Sequence, residues 1–336
     1  MARANIKDVA SLAGVSPGTV SRTLNGNSYV SKDTRAKILA AVKELNYQPN
    51  AAAKTLKAGR SHTLALVIPS IQNPIFPIVT QGVEDVANMQ GYTTILCNTN
   101  EDTNREKQYI SNLLTRSIDG FIFATITEKA DYIYELREKG VPVVLVNRRN
   151  DDEIDAVQID NFQATFDATN YLVSTGHKTI AFAMGHESIN VYRDRREGYL
   201  TALKHHGIRF HPEWIMQETY GPESFYSLTK SLMASEYRPT AILAGSDIKA
   251  FTIMRSLHDS GYKIPEDVSV IGIDNIPLSA LMEPPLSSVS QPLYQMGSLA
   301  AKKLISQIEH KEETGQLLPP VVDIMTTELI IRKSTL

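Results

Sequence analysis

From residue 63 onward, short apolar runs alternate with stretches of helical spacing, and this alternation constrains the fold more than any other feature. The runs "TLALVIP", "YTTILC", "GFIFA" and "VPVVLV" each fit a buried strand, and between them lie segments such as "PIVTQGVEDVANMQG", where Val79, Val83 and Val86 recur at helical spacing. The pattern then starts again with "HKTIAFAMG", "RREGYLTALKHHG", "TAILAG", "FTIMRSLHDSG" and "VSVIGID". Strands that read as near-continuous apolar runs, separated by helices, imply parallel sheets covered on both faces. Two such series imply two similar α/β lobes, and 336 residues is long enough for them plus a smaller domain.

The first sixty residues are different. Ile6 to Ala13 reads as a short helix with Val9, Ala10 and Ala13 on one face, and Gly14 stands where a C-terminal glycine is expected. Ser16 is placed to cap a second helix through its hydroxyl. Pro17 then occupies the first helical position, where its missing N–H costs nothing. The Pro-Gly pair therefore opens a helix that runs to about Leu24, with Val20 and Leu24 inward. A third helix from about Lys32 to Leu45, capped by Ser31, carries Ile38, Leu39, Val42 and Leu45 as its inward stripe. Two short helices joined by a glycine turn and braced by a third make a helix-turn-helix unit. In that motif the second helix enters the major groove of DNA, so Pro17 and Gly18 face base edges. Charge agrees. Residues 1–62 hold ten Lys/Arg and three acids, or +7; with a net charge of −3 the remainder carries −10. A basic head on an acidic body is the pattern of a nucleic-acid reader whose bulk does something else.

The stretches "IKDVASLAGVSPGTVSRTLNG" and "VSKDTRAKILAAVKELNYQPNAAAKTLKAG" resemble the lactose/galactose repressor family of bacterial transcriptional regulators across the whole headpiece. The resemblance implies that Pro17, Gly18 and Arg22 reach bases and that Ser16, Thr19, Ser21 and Asn25 bond phosphates. Pro17 and Gly18 carry no side-chain donor here. Arg22, able to grip guanine with two hydrogen bonds, is left with most of the direct readout, about 1–3 kcal/mol of discrimination. Residues 49–62 form an alanine-rich basic linker, too short for a stable isolated helix. In the family this linker becomes a helix in the minor groove, and Leu56 matches the leucine that wedges a base step apart.

For the body, the resemblance implies a core like the periplasmic sugar-binding proteins: two doubly wound lobes with a ligand between them. The expected organisation is a helix-turn-helix headpiece over 1–48, a hinge linker over 49–62 and an effector-binding and dimerisation core over 63–336. Lobe one takes about 63–160 and 291–320, and lobe two about 161–290 and 321–336. Ligands of open α/β sheets sit beyond the carboxyl ends of strands. Asn73, Pro74 and Phe76 follow the first strand in "SIQNPIF", which looks like the family's loop that offers an aromatic ring to the ligand. Asp160 ends "AVQID", Asp247 follows "TAILAGS", and Asp274 ends "VSVIGID". Arg195 matches the family's ligand-binding arginine, with Arg193 and Arg196 as alternatives. Arg and Asp together suit vicinal hydroxyls, because one donates two hydrogen bonds and the other accepts two. Asp247 also reads as a cap for the following helix, and Asp160 and Phe76 have structural readings as well.

The same residues exclude other chemistry. The sequence has no G-x-S-x-G, no phosphate-binding loop and no G-x-G-x-x-G, which argues against an enzyme. One cysteine, Cys97, cannot form an internal disulfide or a thiolate metal site. His205, His206 and His211 fall at a helix end and read as surface; no metal or cofactor is expected. No apolar run nears the ~18 residues of a membrane helix, and no secretory leader is visible, so a cytoplasmic location is expected. The expected function is an effector-controlled repressor of carbohydrate-utilisation genes: a homodimer on a near-palindromic double-stranded operator, with a small-molecule effector, a carbohydrate by preference. A nucleoside, a purine or a protein co-repressor is the alternative effector. A sugar-binding protein without DNA function is the rival that the basic headpiece disfavours.

Overall fold

A computed structural model describes residues 4–24, 30–47, 60–125, 130–148, 153–219 and 221–336. Asn25 and Leu56 lie outside the described residues. The chain divides into two compact units, Met1–Ser61 and His62–Leu336.

The first unit is three helices: α1 (Ile6–Ala13), α2 (Pro17–Leu24) and α3 (Lys32–Glu44). Each boundary has a chemical cause. Asn5 caps α1 by accepting from the Lys7 N–H at 2.8 Å, and Asp8 accepts from the Asn5 N–H at 2.7 Å. Gly14 ends α1 at φ +67°, a left-handed value that glycine adopts without strain. Ser16 Oγ accepts from the Thr19 N–H at 3.2 Å, and Ser31 Oγ accepts from the Thr34 N–H at 3.2 Å. The helices close on Val9, Ala10, Val20, Ile38 and Ala41. Leu39, expected inside, is 50 % exposed. One residue along a helix is a turn of about 100°, and the inward face here follows Ile38, Ala41, Val42 and Leu45.

In the second unit the chain order is β1 (Thr63–Ile68), α4 (Ile75–Met89), β2 (Thr93–Asn98), α5 (Thr103–Leu114), β3 (Gly120–Phe123), α6 (Asp131–Glu138), β4 (Val143–Val146) and β5 (Asp155–Ile159). There follow α7 (Asn161–Ser174), β6 (Ile180–Met184), α8 (Asn190–His205), β7 (Ile215–Gln217), α9 (Ser224–Met233), β8 (Ala241–Ala244), α10 (Asp247–Asp259) and β9 (Ser269–Asp274). The chain ends with β10 (Ser287–Ser290), α11 (Leu293–Thr314), β11 (Val322–Met325) and β12 (Glu328–Ile330).

Two six-stranded sheets result, in the orders β2-β1-β3-β4-β5-β11 and β7-β6-β8-β9-β10-β12. All pairings are parallel except β10 with β12. The central strands β3, β4, β5, β6, β8 and β9 are buried along their whole length, as expected of parallel strands covered by helices on both faces. Helices α4 and α11 cross closely in lobe one through two glycines. A Cβ on Gly82 would overlap the Tyr294 carbonyl oxygen, and one on Gly297 the Val79 carbonyl oxygen.

The lobes exchange the chain three times: after Ile159, at Gln291–Pro292, and between Met325 and Glu328. The last passage falls later than the boundary at 321 that the resemblance implied. Residues 322–325 extend the first lobe's sheet, with Val322 opposite Ala156 and Met325 opposite Ile159. Asp155 explains why they stay there. Its carboxylate accepts from the Val321 N–H at 3.0 Å and from Gln307 Nε2 at 2.5 Å, and Lys303 Nζ bridges it to Asp323 at 3.3 and 2.7 Å.

Candidate DNA-reading face and effector cavity

The candidate reading face of the headpiece is the start of α2. Ser16, Pro17, Gly18 and Arg22 are exposed, and Thr19 and Ser21 are half-buried. Ser16 Oγ lies 2.9 Å from Thr19 Oγ1, and Arg22 Nη2 donates to the same Thr19 oxygen over a long 3.4 Å. Thr19 and Arg22 are three apart and so share a helix face. Gly18 is not forced by the fold: a Cβ there would meet only Ser16 Oγ, at 3.7 Å. The face therefore presents one long cation, a hydroxyl pair and a stretch of backbone with almost no side chain.

In the core, the carboxyl ends of both sheets border a cavity of about 30 Å³. Lobe one supplies Asn73 and Ile75 from the loop into α4, and Asn147 at the end of β4. Lobe two supplies Ile189, Val191, Tyr192 and Arg195 from the start of α8, Ser246 after β8, and Asp274 at the end of β9. Gln291, at the second passage between lobes, completes the lining.

Asn147 and Asp274 end strands that hold the same place in the two sheet orders, and both have positive φ, +66° and +126°. Such backbone is costly for residues other than glycine, and it concentrates at functional sites. Asp274 is 3 % exposed. Its Oδ1 accepts from Gln291 Nε2 at 2.6 Å, while its Oδ2 is buried and has no partner. Asn147 Oδ1 and Gln291 Oε1 are likewise buried without partners. Three acceptors on the lining residues thus lack donors, each worth about 1–3 kcal/mol of desolvation left uncompensated.

Charge at the cavity comes from lobe two. Arg195 is 3 % exposed, and it is fixed by Nε donating to Asn161 Oδ1 at 2.8 Å and Nη1 donating to the Gly245 carbonyl at 2.7 Å. Burial lowers its pKa, and Asp274 opposes that effect. Burial and the nearby Asp247 carboxylate push Asp274 up to about 7, against the pull of Arg195, the Gln291 hydrogen bond and Lys249. Lys249 sits behind Tyr192, 3.2 Å from its hydroxyl and 2.8 Å from Glu218 Oε2. Burial alone would lower the Lys249 pKa, but Tyr192 and Glu218 outweigh it and hold the ammonium above its ordinary range.

The structure sorts the residues expected at this site. Asn73, Arg195 and Asp274 come together on the cavity. Phe76 does not: α4 begins at Ile75, earlier than its apolar spacing suggests, and Phe76 is packed into the apolar core at 2 % exposure while Ile75 lines the cavity. Asp160 is exposed and caps α7, accepting from the Gln163 N–H at 2.8 Å. Asp247 is fully buried as a strut. Its Oδ1 accepts from Ser288 Oγ at 2.6 Å, and its Oδ2 accepts from the Ile276 N–H at 2.9 Å and Ser279 Oγ at 2.5 Å. Ser246, not Asp247, caps α10. Arg193 is exposed and Arg196 is paired with Glu197 at 3.7 Å, so Arg195 is the arginine of this run that lines the cavity. Asn147 and Gln291 directly follow a strand and Ser246 comes two residues after one, the position that could have flagged them; Tyr192 carried no such signal.

Two larger grooves, about 700 and 570 Å³, lie elsewhere on the core, but no unpartnered buried polar atom belongs to their lining residues. His206 Nε2 contacts Asn170 Oδ1 at 2.9 Å and His205 lies against Phe166. Among the described residues no group of His, Cys, Asp and Glu could hold a metal ion. No helix among them is long and apolar enough to cross a membrane.

Comparison with known proteins agrees along the whole chain. Residues 5–50 match the profile of bacterial regulatory proteins of the lacI family, and residues 61–325 match that of periplasmic binding proteins and the sugar binding domain of the LacI family. The HTH-type transcriptional regulator RegA of Clostridium saccharobutylicum is 35 % identical over 334 residues, 99 % of each chain. The HTH-type transcriptional repressor PurR of Haemophilus influenzae (strain 86-028NP) is 33 % identical over 332 residues, 98 % of each. The lac repressor dimer bound to operator and the anti-inducer ONPF has a TM-score of 0.89 against this chain, at 26 % identity and full coverage of both chains. A complex of the transcriptional regulator CelR with cellobiose has a TM-score of 0.74 at 30 % identity, over 99 % of this chain and 100 % of that one.

Proposed function

The chain belongs to the LacI family of bacterial regulatory proteins, and from that premise we propose that it is a cytoplasmic homodimeric repressor of carbohydrate-utilisation genes, controlled by a neutral polyhydroxylated effector. It is a DNA-binding transcriptional regulator and not an enzyme. The effector class rests on one observation: the cavity lining holds three buried acceptors without donors, Asp274 Oδ2, Asn147 Oδ1 and Gln291 Oε1. Hydroxyl groups bring donors to such a wall. A phosphate or carboxylate brings acceptors against acceptors. Arg195 and Asp274, fixed on one wall, suit a pair of vicinal hydroxyls.

The cavity also supports a mechanism. At about 30 Å³ it holds about one water, whereas ligand sites commonly need ~300–1,000 Å³. The lobes therefore part to admit the effector, pivoting on the three passages, and re-close around it. A ligand that prefers one lobe arrangement shifts the population, and coupling to operator binding is typically ~1–3 kcal/mol. On the DNA side, two headpieces read a near-palindrome, each using Arg22 for base contact and Ser16, Thr19 and Ser21 for phosphates. An apolar surface on lobe two supports pairing of copies: Leu278 and Leu281 are 50 % and 78 % exposed, next to the groove that Phe251, Tyr226 and Met282 line.

The test is a melting-temperature screen of the purified chain against neutral sugars, their phosphates, and purines with their nucleosides. The proposal expects stabilisation by one or more neutral sugars and weaker or no response to the phosphorylated forms. A response confined to purines or phosphorylated sugars contradicts it.

A further inference from the structure

We propose that Tyr192 is the platform on which the apolar face of a cyclic sugar stacks, and that Lys249, paired with Glu218, is the positioning residue that holds this ring in place. The inference rests on the carbohydrate reading above and deepens it.

Tyr192 is the only aromatic side chain among the described residues that line the cavity. Its ring is seated on backbone. A Cβ on Gly185, just past β6, would overlap the ring; one on Gly245, just past β8, would clash with the Ala183 carbonyl oxygen at 2.8 Å and meet the ring only at ordinary contact distances of 3.4 and 3.6 Å. Both glycines follow strand ends that border the site: Gly185 leaves out a side chain that this ring would overlap, and Gly245 lies within van der Waals reach of the ring. The third constraint is polar. Lys249 Nζ lies 3.2 Å from the Tyr192 hydroxyl and 2.8 Å from Glu218 Oε2, and Lys249 is 4 % exposed.

A buried ion pair is a poor source of stability, since well-packed apolar side chains often do as well or better. This pair does something apolar side chains cannot: it fixes a hydroxyl, and with it the plane of the ring beside the cavity. The remaining lining divides the labour. Asp274, Asn147 and Gln291 accept from hydroxyls around the edge of a sugar, and the C–H face of a pyranose or furanose needs a flat apolar partner. Phe76 is held in the core, and Tyr192 is the ring positioned to serve.

A cyclic sugar has such a face and its alditol, with the same hydroxyl chemistry, has no fixed one. The test is calorimetric titration of the full chain with D-ribose, D-glucose and D-galactose, each beside its alditol. Wild type is expected to prefer the cyclic form of at least one pair. In Tyr192→Leu that preference falls by about three- to tenfold, the worth of an aromatic stacking contact, while the alditol affinity is little changed. Tyr192→Phe keeps most of the preference. Lys249→Met loses part of it, and adding Lys249→Met to Tyr192→Leu costs nothing more, because the lysine acts through the ring. Circular dichroism and a cooperative melt establish that each variant folds. A preference that survives Tyr192→Leu overturns the platform and leaves the carbohydrate reading standing. Equal losses for cyclic sugar and alditol also overturn it, as a general structural defect. Wild type that binds none of the six compounds overturns the carbohydrate reading and the platform with it.

Discussion

The proposed function gives its two recognition tasks to two arginines, and they are built in opposite ways. Arg22 is exposed on α2, and its hydrogen bond within the headpiece is a 3.4 Å contact to Thr19. Arg195 is buried on α8, with Nε and Nη1 both committed at 2.8 and 2.7 Å. Arg22 must be ordered when it meets DNA, at a side-chain entropy cost of up to ~2 kcal/mol. Arg195 has met that cost in folding. A reader that samples many wrong sequences benefits from a long arm that grips only where a guanine lies opposite. A pocket that must recognise one small molecule benefits from a donor already aimed. The contrast implies that damage to Arg22 stays local, whereas damage to Arg195 spreads into the fold.

Arg195→Ala is the strongest way to break this contrast. It leaves Asn161 Oδ1 and the Gly245 carbonyl without their donor and strips Asp274 of its counter-charge. Loss of one partner from a buried charged cluster typically costs ~3–5 kcal/mol. The melting temperature is expected to fall and titration with the responsive sugar to show no binding; a variant that melts and binds like wild type would refute the assignment. Arg22→Ala comes next. Specific operator affinity is expected to drop toward the random-sequence level, with ~1–3 kcal/mol lost per guanine contact, while melting and effector binding stay as they were. A filter-binding ratio of operator to random duplex reads it, and loss of effector binding in the same protein would show that the two tasks are not separable.

Smaller effects sharpen the picture. Asp274 is held near 7, above its unfolded value of 3.8. The folded chain therefore binds the extra proton between those limits, and stability falls as pH rises from about 4 to about 7. Asp274→Asn removes that loss. It is expected to raise stability at pH 8 by about 1–3 kcal/mol, to lose that advantage by pH 4, and to abolish the response to effector. Denaturant titrations at the two pH values decide it, and an advantage that is the same at both pH values would contradict the buried charge. The smallest effect belongs to Asp160. As a helix cap rather than a ligand contact, Asp160→Ala should cost roughly 1 kcal/mol of stability and leave the sugar dissociation constant unchanged.

The headpiece was largely legible because its signals are contiguous. Caps at Ser16 and Ser31, proline at the first helical position and glycine after α1 are each visible within a few residues. Leu39 was misplaced because adjacent apolar residues on a helix look alike in sequence while pointing about 100° apart. The lining of the candidate effector cavity was half legible. The rule that ligands sit past strand ends singled out Asp274, and the family resemblance brought in Asn73 and Arg195. The rule could not separate them from Asp160 and Asp247, because a ligand carboxylate, a cap and a strut share one side chain and differ only in what surrounds it. Phe76 failed for a related reason: two extra residues at the start of α4 turned it inward. Gln291 directly follows β10, so the same rule could have flagged it, whereas Tyr192 depends on backbone at two glycines 60 residues apart in sequence and could not be read locally.

The central claim is that this chain reads a specific duplex through one exposed arginine and that a sugar in the core governs the reading. The most direct test is selection from a random pool of duplexes by the purified full-length protein, run with and without the sugars that raise its melting temperature. The account predicts enrichment of a near-palindrome with a guanine in each half-site, loss of that enrichment in Arg22→Ala, and a change in yield when sugar is present. Recovery of no motif at moderate salt, or of the same motif by Arg22→Ala, would contradict it.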